Sequence, residues 1–160
     1  MATENREKIR YKVNLKPHLH ELNCFTMKTM DELDLVPVEQ TRAILNQVRM
    51  LGETPSFKFT IPFEEKNTDK FKSYITQLQN ANSAGVYIWI NRTNDCGTSI
   101  LRSLHDIKWD FEFTCTDHGI FELETTDLKD SILFDFFEEN GENWLEIEVS
   151  GANWPKISYS

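Results

Sequence analysis

Carboxylates alternate with large apolar residues through the last third of this chain, and that alternation restricts it to a sheet with one buried face. In Trp109–Cys115, the side chains of Trp109, Phe111, Phe113 and Cys115 fall on one side of an extended backbone, with Asp110, Glu112 and Thr114 on the other. Phe121 and Leu123 alternate in the same way with Glu122 and Glu124, and Leu145, Ile147 and Val149 with Glu146 and Glu148. A period of two belongs to a strand with one wet face. Asp117–His118–Gly119 supplies a turn between the first two runs. Asn140–Gly141, between FDFFEE and ENWLEIEV, predicts a tight hairpin because both residues tolerate the positive φ that such a turn needs. Its first arm has two readings. Ser131–Phe137 fits a strand, yet Leu128, Ile132 and Phe136 also fit helical spacing behind a cap at Thr126, which would make a helix ending near Gly141.

The alternation coincides with a split in charge. Residues 1–108 carry 15 Lys and Arg against 13 Asp and Glu, a net of +2, whereas 109–160 carry 2 against 13, a net of −11, which together give −9. An acidic tail without structure would be poor in aromatics, but this chain has 11 Phe and 4 Trp. The carboxylates are therefore expected on folded strands, where like charges repel unless a cationic partner approaches. Phosphate binding calls for Lys and Arg, so nucleic acid is not expected as a direct partner.

The rest of the chain reads as mixed elements. Lys8–Leu15 alternates strictly and predicts a strand with Ile9, Tyr11, Val13 and Leu15 inward, interrupted near Pro17. Leu19–Met27 is a second extended piece or a continuation. Asp34–Leu51 predicts a helix with a stripe of Ile44, Leu45, Val48 and Leu51 and a stop at Gly52. Ser56–Ile61 predicts a strand, and about Thr68 to Asn80 a helix lined by Phe71, Tyr74, Ile75 and Leu78. Gly85–Asn91 is apolar on both sides and suits a central strand. Asn91–Thr98 reads as a loop, and Ser99–Ile107 as either a strand or a short helix. The 160 residues are expected to form a single α+β domain, a mostly antiparallel sheet with two or three helices packed on one face.

No motif specifies a reaction. His18 and His20 would share a face if extended, but no second pair of ligands completes a metal site, and none is expected. His105–Asp106 and Asp117–His118 are neighbours in sequence that do not face each other on a strand, and Cys96 lies in a polar turn without a visible cation to activate it. No glycine-rich phosphate loop occurs, no cofactor is expected, and the chain is not expected to be an enzyme. Should it be one, His105, His118 and Cys115 are the residues to inspect. Met1–Arg10 has no apolar core of an export signal, and no apolar run is long enough to span a bilayer. The expectation is a cytoplasmic protein with Cys24, Cys96 and Cys115 reduced.

The remaining signal is the carboxylate pattern. Asp110, Glu112, Glu122 and Glu124 are expected to project from strands, while Asp135, Glu138, Glu139 and Glu142 gather about the hairpin turn. Trp144 stands beside them as a candidate aromatic anchor, and Trp154 suits either an anchor or the core. Those residues compose either a surface that keeps the protein soluble or a docking face for a basic protein. The strand patterns WDFEF, FELE and WLEIEV, in a small acidic domain without a catalytic signature, resemble the immunity proteins of bacterial toxin systems, including contact-dependent growth inhibition. The resemblance implies a tight complex with a cognate basic toxin, often a nuclease, whose active site is covered or whose substrate groove is blocked. It carries over no residue by position. A regulatory or scaffold domain binding through apolar strand edges is the further alternative.

Overall fold

The computed structural model describes residues 2–160. Its frame is a six-stranded antiparallel sheet made of β1 (Ser56–Pro62), β2 (Val86–Trp89), β3 (Ser99–Leu101), β4 (Ile120–Thr125), β5 (Asp130–Glu139) and β6 (Glu142–Gly151). The strand order is β1-β6-β5-β4-β2-β3. The Asn140–Gly141 hairpin forms, with φ of 53° and 78° at the two turn residues and Glu139 paired to Glu142. Ser131–Phe137 is thus strand, because ten paired residues bury Ile132, Phe134 and Phe136 on one face, which a helix at that position could not do.

Register places all the large aliphatic and aromatic residues of the strands' inner face in one layer. Val149, Ile132 and Leu123 lie in one row, and Ile147, Phe134 and Phe121 in the next. Helix α3 (Asp69–Ala81) covers this layer with Phe71, Tyr74, Ile75 and Leu78, its first turn capped by the Thr68 hydroxyl. Leu22, Phe25, Phe63, Phe111 and Trp154 complete the core. Trp154 is fully buried and donates its indole N–H to the Leu78 carbonyl at 2.9 Å, so it serves the core and not an interface.

Two expectations fail. Lys8–Leu15 is not a strand but part of α1, a helix over Ala2–Phe25 that runs through Pro17 and takes in most of Leu19–Met27, which is therefore not extended either. Its inward side chains are Tyr11, Asn14, His18, Glu21, Leu22 and Phe25, spaced by three and four. Ile9 and Val13, two of the apolar residues that made the alternation, stand 60% and 67% exposed. What decides the helix lies far off in sequence. The Tyr11 hydroxyl donates to Glu32 at 2.6 Å, Arg42 pairs with Glu7 at 2.8 Å, and His18 Nε2 meets the Gly97 carbonyl at 2.9 Å. His18 is buried and His20 exposed, so the two do not share a face.

Trp109–Cys115 is the second failure. Burial alternates there as expected, but the segment pairs with no strand. It closes turns through Phe111 N–H to the Lys108 carbonyl and Cys115 N–H to the Glu112 carbonyl. Its aromatic side chains pack onto the core layer, Trp109 against Phe71 and Phe134, Phe111 against Phe25, Phe63, Phe121 and Phe136. An irregular segment folded over a core shows the same in-and-out pattern as a strand without its ladder.

Helix α2 (Val38–Arg49) lies within the predicted Asp34–Leu51, and the region expected to be a loop after β2 contains a one-turn helix, α4 (Thr93–Cys96). Ser99–Ile107 divides into β3 and a 3-10 turn over Leu104–Asp106. Gly97, with φ of 103°, passes so close to the Val36 carbonyl that a Cβ would meet it at 2.1 Å. That approach lets the segment before α2 bond to Thr98, Val36 N–H donating to the Thr98 carbonyl at 2.8 Å.

Candidate protein-docking face

Side chains on the other face of the sheet follow from the same register. One row across the strands reads Trp89, Glu122, Leu133, Glu148 and Lys58. The next reads Tyr87, Glu124, Ser131, Ser150 and Ser56, and on the other side lie Ile120, Asp135, Glu146 and Thr60, then Phe137, Trp144 and Pro62. Five carboxylates, those of Glu122, Glu124, Asp135, Glu146 and Glu148, therefore share a face whose strands contribute one cation, Lys58. Lys58 bridges Glu146 at 3.5 Å and Glu148 at 3.4 Å, and its pKa is raised by those two charges. The other three acids have no such partner.

The electrostatics record that imbalance. Burial pushes the Glu122 carboxyl above its ordinary value, and Glu148 adds to the effect. Asp135 is raised by burial and then by Glu146, with Lys58 opposing weakly. Glu124 is the most perturbed: burial, followed by Glu122, Asp130 and Asp127, pushes it up to about 8. Burial raises all three acids and like-charged neighbours add to it, with only Lys58, at Asp135, opposing, so the face is short of positive charge.

Of the residues nominated from sequence, Glu122, Glu124, Asp135 and Trp144 come together on this face, and Glu138, Glu139 and Glu142 stand exposed at the hairpin tip that extends it. Asp110 and Glu112 do not join them, since their segment covers the core layer on the opposite side of the sheet. They drop out of the face for the same reason that Trp109–Cys115 is not a strand. Sequence reasoning missed the apolar members, Trp89, Tyr87, Leu133 and Phe137, and also Lys58; strand register, once known, is the signal that groups them.

Beneath one end of the face lies a polar knot. The Asp130 carboxylate is buried and accepts from Asn153 N–H at 2.8 Å, Trp154 N–H at 2.9 Å, Asn82 Nδ2 at 2.8 Å and Asn153 Nδ2 at 2.9 Å. Those donors hold its pKa below the usual carboxylate value although burial opposes them. Asp130 thereby joins β5 to the end of α3 and to the 3-10 turn at Trp154–Lys156.

The histidines and cysteines nominated for inspection are not drawn together. His105 and His118 are exposed at separate turns. Cys115 contacts Cys24, and burial together with that hydrogen bond pushes its thiol upward, while burial and then Asp95 push Cys96 up to about 11. All three cysteines are free thiols. Iodoacetamide at about pH 7.5 is expected to alkylate Cys96 and Cys115 at least about tenfold more slowly in the native protein than in urea, since the thiolate is the reactive form. Mass spectrometry of timed samples checks this; equal rates in both states would contradict the burial described above.

Among the described residues no helix is long and apolar enough to cross a membrane. No family model matches this chain, and no curated protein and no solved structure matches it.

Proposed function

We propose that this protein is an immunity-type inhibitor, a cytoplasmic protein that binds and neutralises a cognate basic toxin through the outer face of its sheet and the Asn140–Gly141 tip. The observation that supports this reading is the row of carboxylates answered by Lys58 alone, with Glu122, Glu124 and Asp135 all held above their ordinary pKa. An acidic surface needed only for solubility works best with its charges dispersed in water. Here they are gathered on a half-buried sheet face among Trp89, Leu133, Phe137 and Trp144, where aromatic anchors and charge serve recognition together. A nuclease is the natural target class, because the groove it uses for phosphates is a basic surface of matching sign.

The test starts by asking whether a toxin reading frame lies immediately upstream of this gene, and uses the toxin domain found there. Co-expression is expected to restore growth, and the two purified proteins are expected to form a complex whose association slows as salt rises. Charge reversal of Asp135, Glu138, Glu139 and Glu142 together is expected to slow association about tenfold or more at low salt and to flatten the salt dependence. Unchanged rates at every salt concentration would remove the face from the interface.

A further inference from the structure

Between the C-terminal end of α2 and the outer face of the sheet lies a cleft of about 160 Å³. Val48, Leu51 and Gly52 line one side, and Glu122, Glu124 and Ser131 the other. Small-molecule sites usually occupy roughly 300–1,000 Å³, so this space suits something smaller, on the scale of one side-chain head. Glu124 is only 4% exposed, and no hydrogen bond or salt bridge among the described residues engages its carboxylate. Its oxygens are not sealed from water and open onto the cleft, so a carboxylate with no partner in the protein is placed to receive one from outside.

Every charge that acts strongly on this position has the same sign. Glu122 is its neighbour on β4, and Asp127 and Asp130 face it from the turn and from β5. Glu148 on β6 acts on Glu122, but Lys58 already pairs with it. Val48, the α2 residue in the wall, carries no titratable group; the helix ends there with its negative C-terminal pole, offset in its last turn by Arg49, which does not line the cleft. Lys129 borders the cleft but is exposed and forms no salt bridge among the described residues.

We propose that this cleft is an anchor pocket for a single cationic side chain, an arginine or a lysine of the basic partner, with Glu124 as its ion-pair acceptor. The proposal rests on the docking reading of the acidic face and adds where on that face the partner is gripped. Arginine suits it better, since a planar guanidinium can engage a carboxylate through two parallel N–H donors and is the less strongly hydrated cation. The entering cation displaces the proton held on Glu124 into solvent, so affinity rises with pH until Glu124 is ionised in the free protein and is constant above that.

The probe is N-acetylarginine methylamide, with the uncharged N-acetylcitrulline methylamide as its control, followed by NMR of side-chain carboxyl carbons and backbone amides. The arginine probe is expected to give a saturable response at Glu124 and at the amides of Leu51 and Gly52, and to move the Glu124 titration midpoint below about 8. Binding is expected to be several-fold tighter at about pH 9 than at about pH 6.5. Glu124→Gln, which copies the protonated side chain in shape and charge, is expected to keep the native amide spectrum and weaken binding at least about fivefold. Leu51→Trp, which fills the cleft from the other wall without altering charge, is expected to do the same. Equal responses to both probes, a response spread over Glu138, Glu139 and Glu142, or binding retained in Glu124→Gln and Leu51→Trp would overturn the anchor. Should that happen while the toxin complex still depends on Asp135, Glu138, Glu139 and Glu142, the docking face stands without its anchor; a complex indifferent to those four residues as well would remove both.

Discussion

Alanine in place of Asp130 is expected to cost on the order of 4 kcal/mol of folding stability, because four donors lose a charged acceptor inside the protein. Asn82, Asn153 and the Trp154 amide cannot turn to water, as their positions are set by the end of α3 and by the turn that seats the fully buried Trp154. Domains of this size have about 5–15 kcal/mol in all, so the variant should be marginal near body temperature. Urea unfolding of both proteins at neutral pH checks it, and a loss under about 1 kcal/mol would show that the knot is not a structural joint. The pH dependence has a definite sign. Asp130 has its pKa lowered in the fold, so its contribution is complete above the ordinary carboxylate pKa and disappears as pH falls through the lower folded value. The wild type should lose that part of its stability in strong acid, and Asp130→Ala should not.

Glu124→Gln is expected to act in the opposite direction, raising stability by a few kcal/mol at about pH 9 and by little at about pH 5. An acid pushed up to about 8 in the fold binds its proton more tightly folded than unfolded. Stability therefore falls as pH rises from the unfolded carboxyl pKa, near 4.3, to about 8, and then levels off. Glutamine has no proton to lose and removes that slope. Urea unfolding at the two pH values is the measurement, and an equal change at both would mean that Glu124 is not held protonated. The same substitution is expected to weaken cation binding in the cleft at least about fivefold, so a gain in stability and a loss of recognition would come from one side chain. A residue that weakens the fold and serves a partner is what a binding site predicts.

Local pattern was a good guide wherever the local pattern had a single structural meaning. Asn140–Gly141 demands positive φ at two successive positions, and few structures other than a tight hairpin supply it. The stripe Phe71, Tyr74, Ile75 and Leu78 behind the Thr68 cap admits only a helix with that side buried. Lys8–Leu15 misled because Ile9 and Val13, four apart, also lie together on a helix, and nothing within eight residues says that this side faces water. Trp109–Cys115 misled because alternating burial reports proximity to a core and not pairing. In the candidate site, Glu122 and Glu124 were legible from alternation and Asp135 and Trp144 from the hairpin turn they flank, whereas Asp110 and Glu112 were misplaced along with their segment.

Alternation and turn chemistry suffice to place Phe121–Glu124 and Leu145–Val149 on strands with a tight turn at Asn140–Gly141, their carboxylates opposite an apolar core. Those properties depend on neighbours one to four residues apart, so a linear reading contains them. Which carboxylates meet, and which of them are answered, depends on contacts between segments tens of residues apart. Pairing of β1 with β6 brings Lys58 to Glu146 and Glu148, and the end of α2 closes over Glu122 and Glu124. Coulomb interaction falls with distance through space and is indifferent to separation along the chain, and burial strengthens it further. The chain's imbalance of charge was thus visible from composition, but only the packing of α2 against the sheet turns one of those charges, Glu124, into a buried acid without a partner.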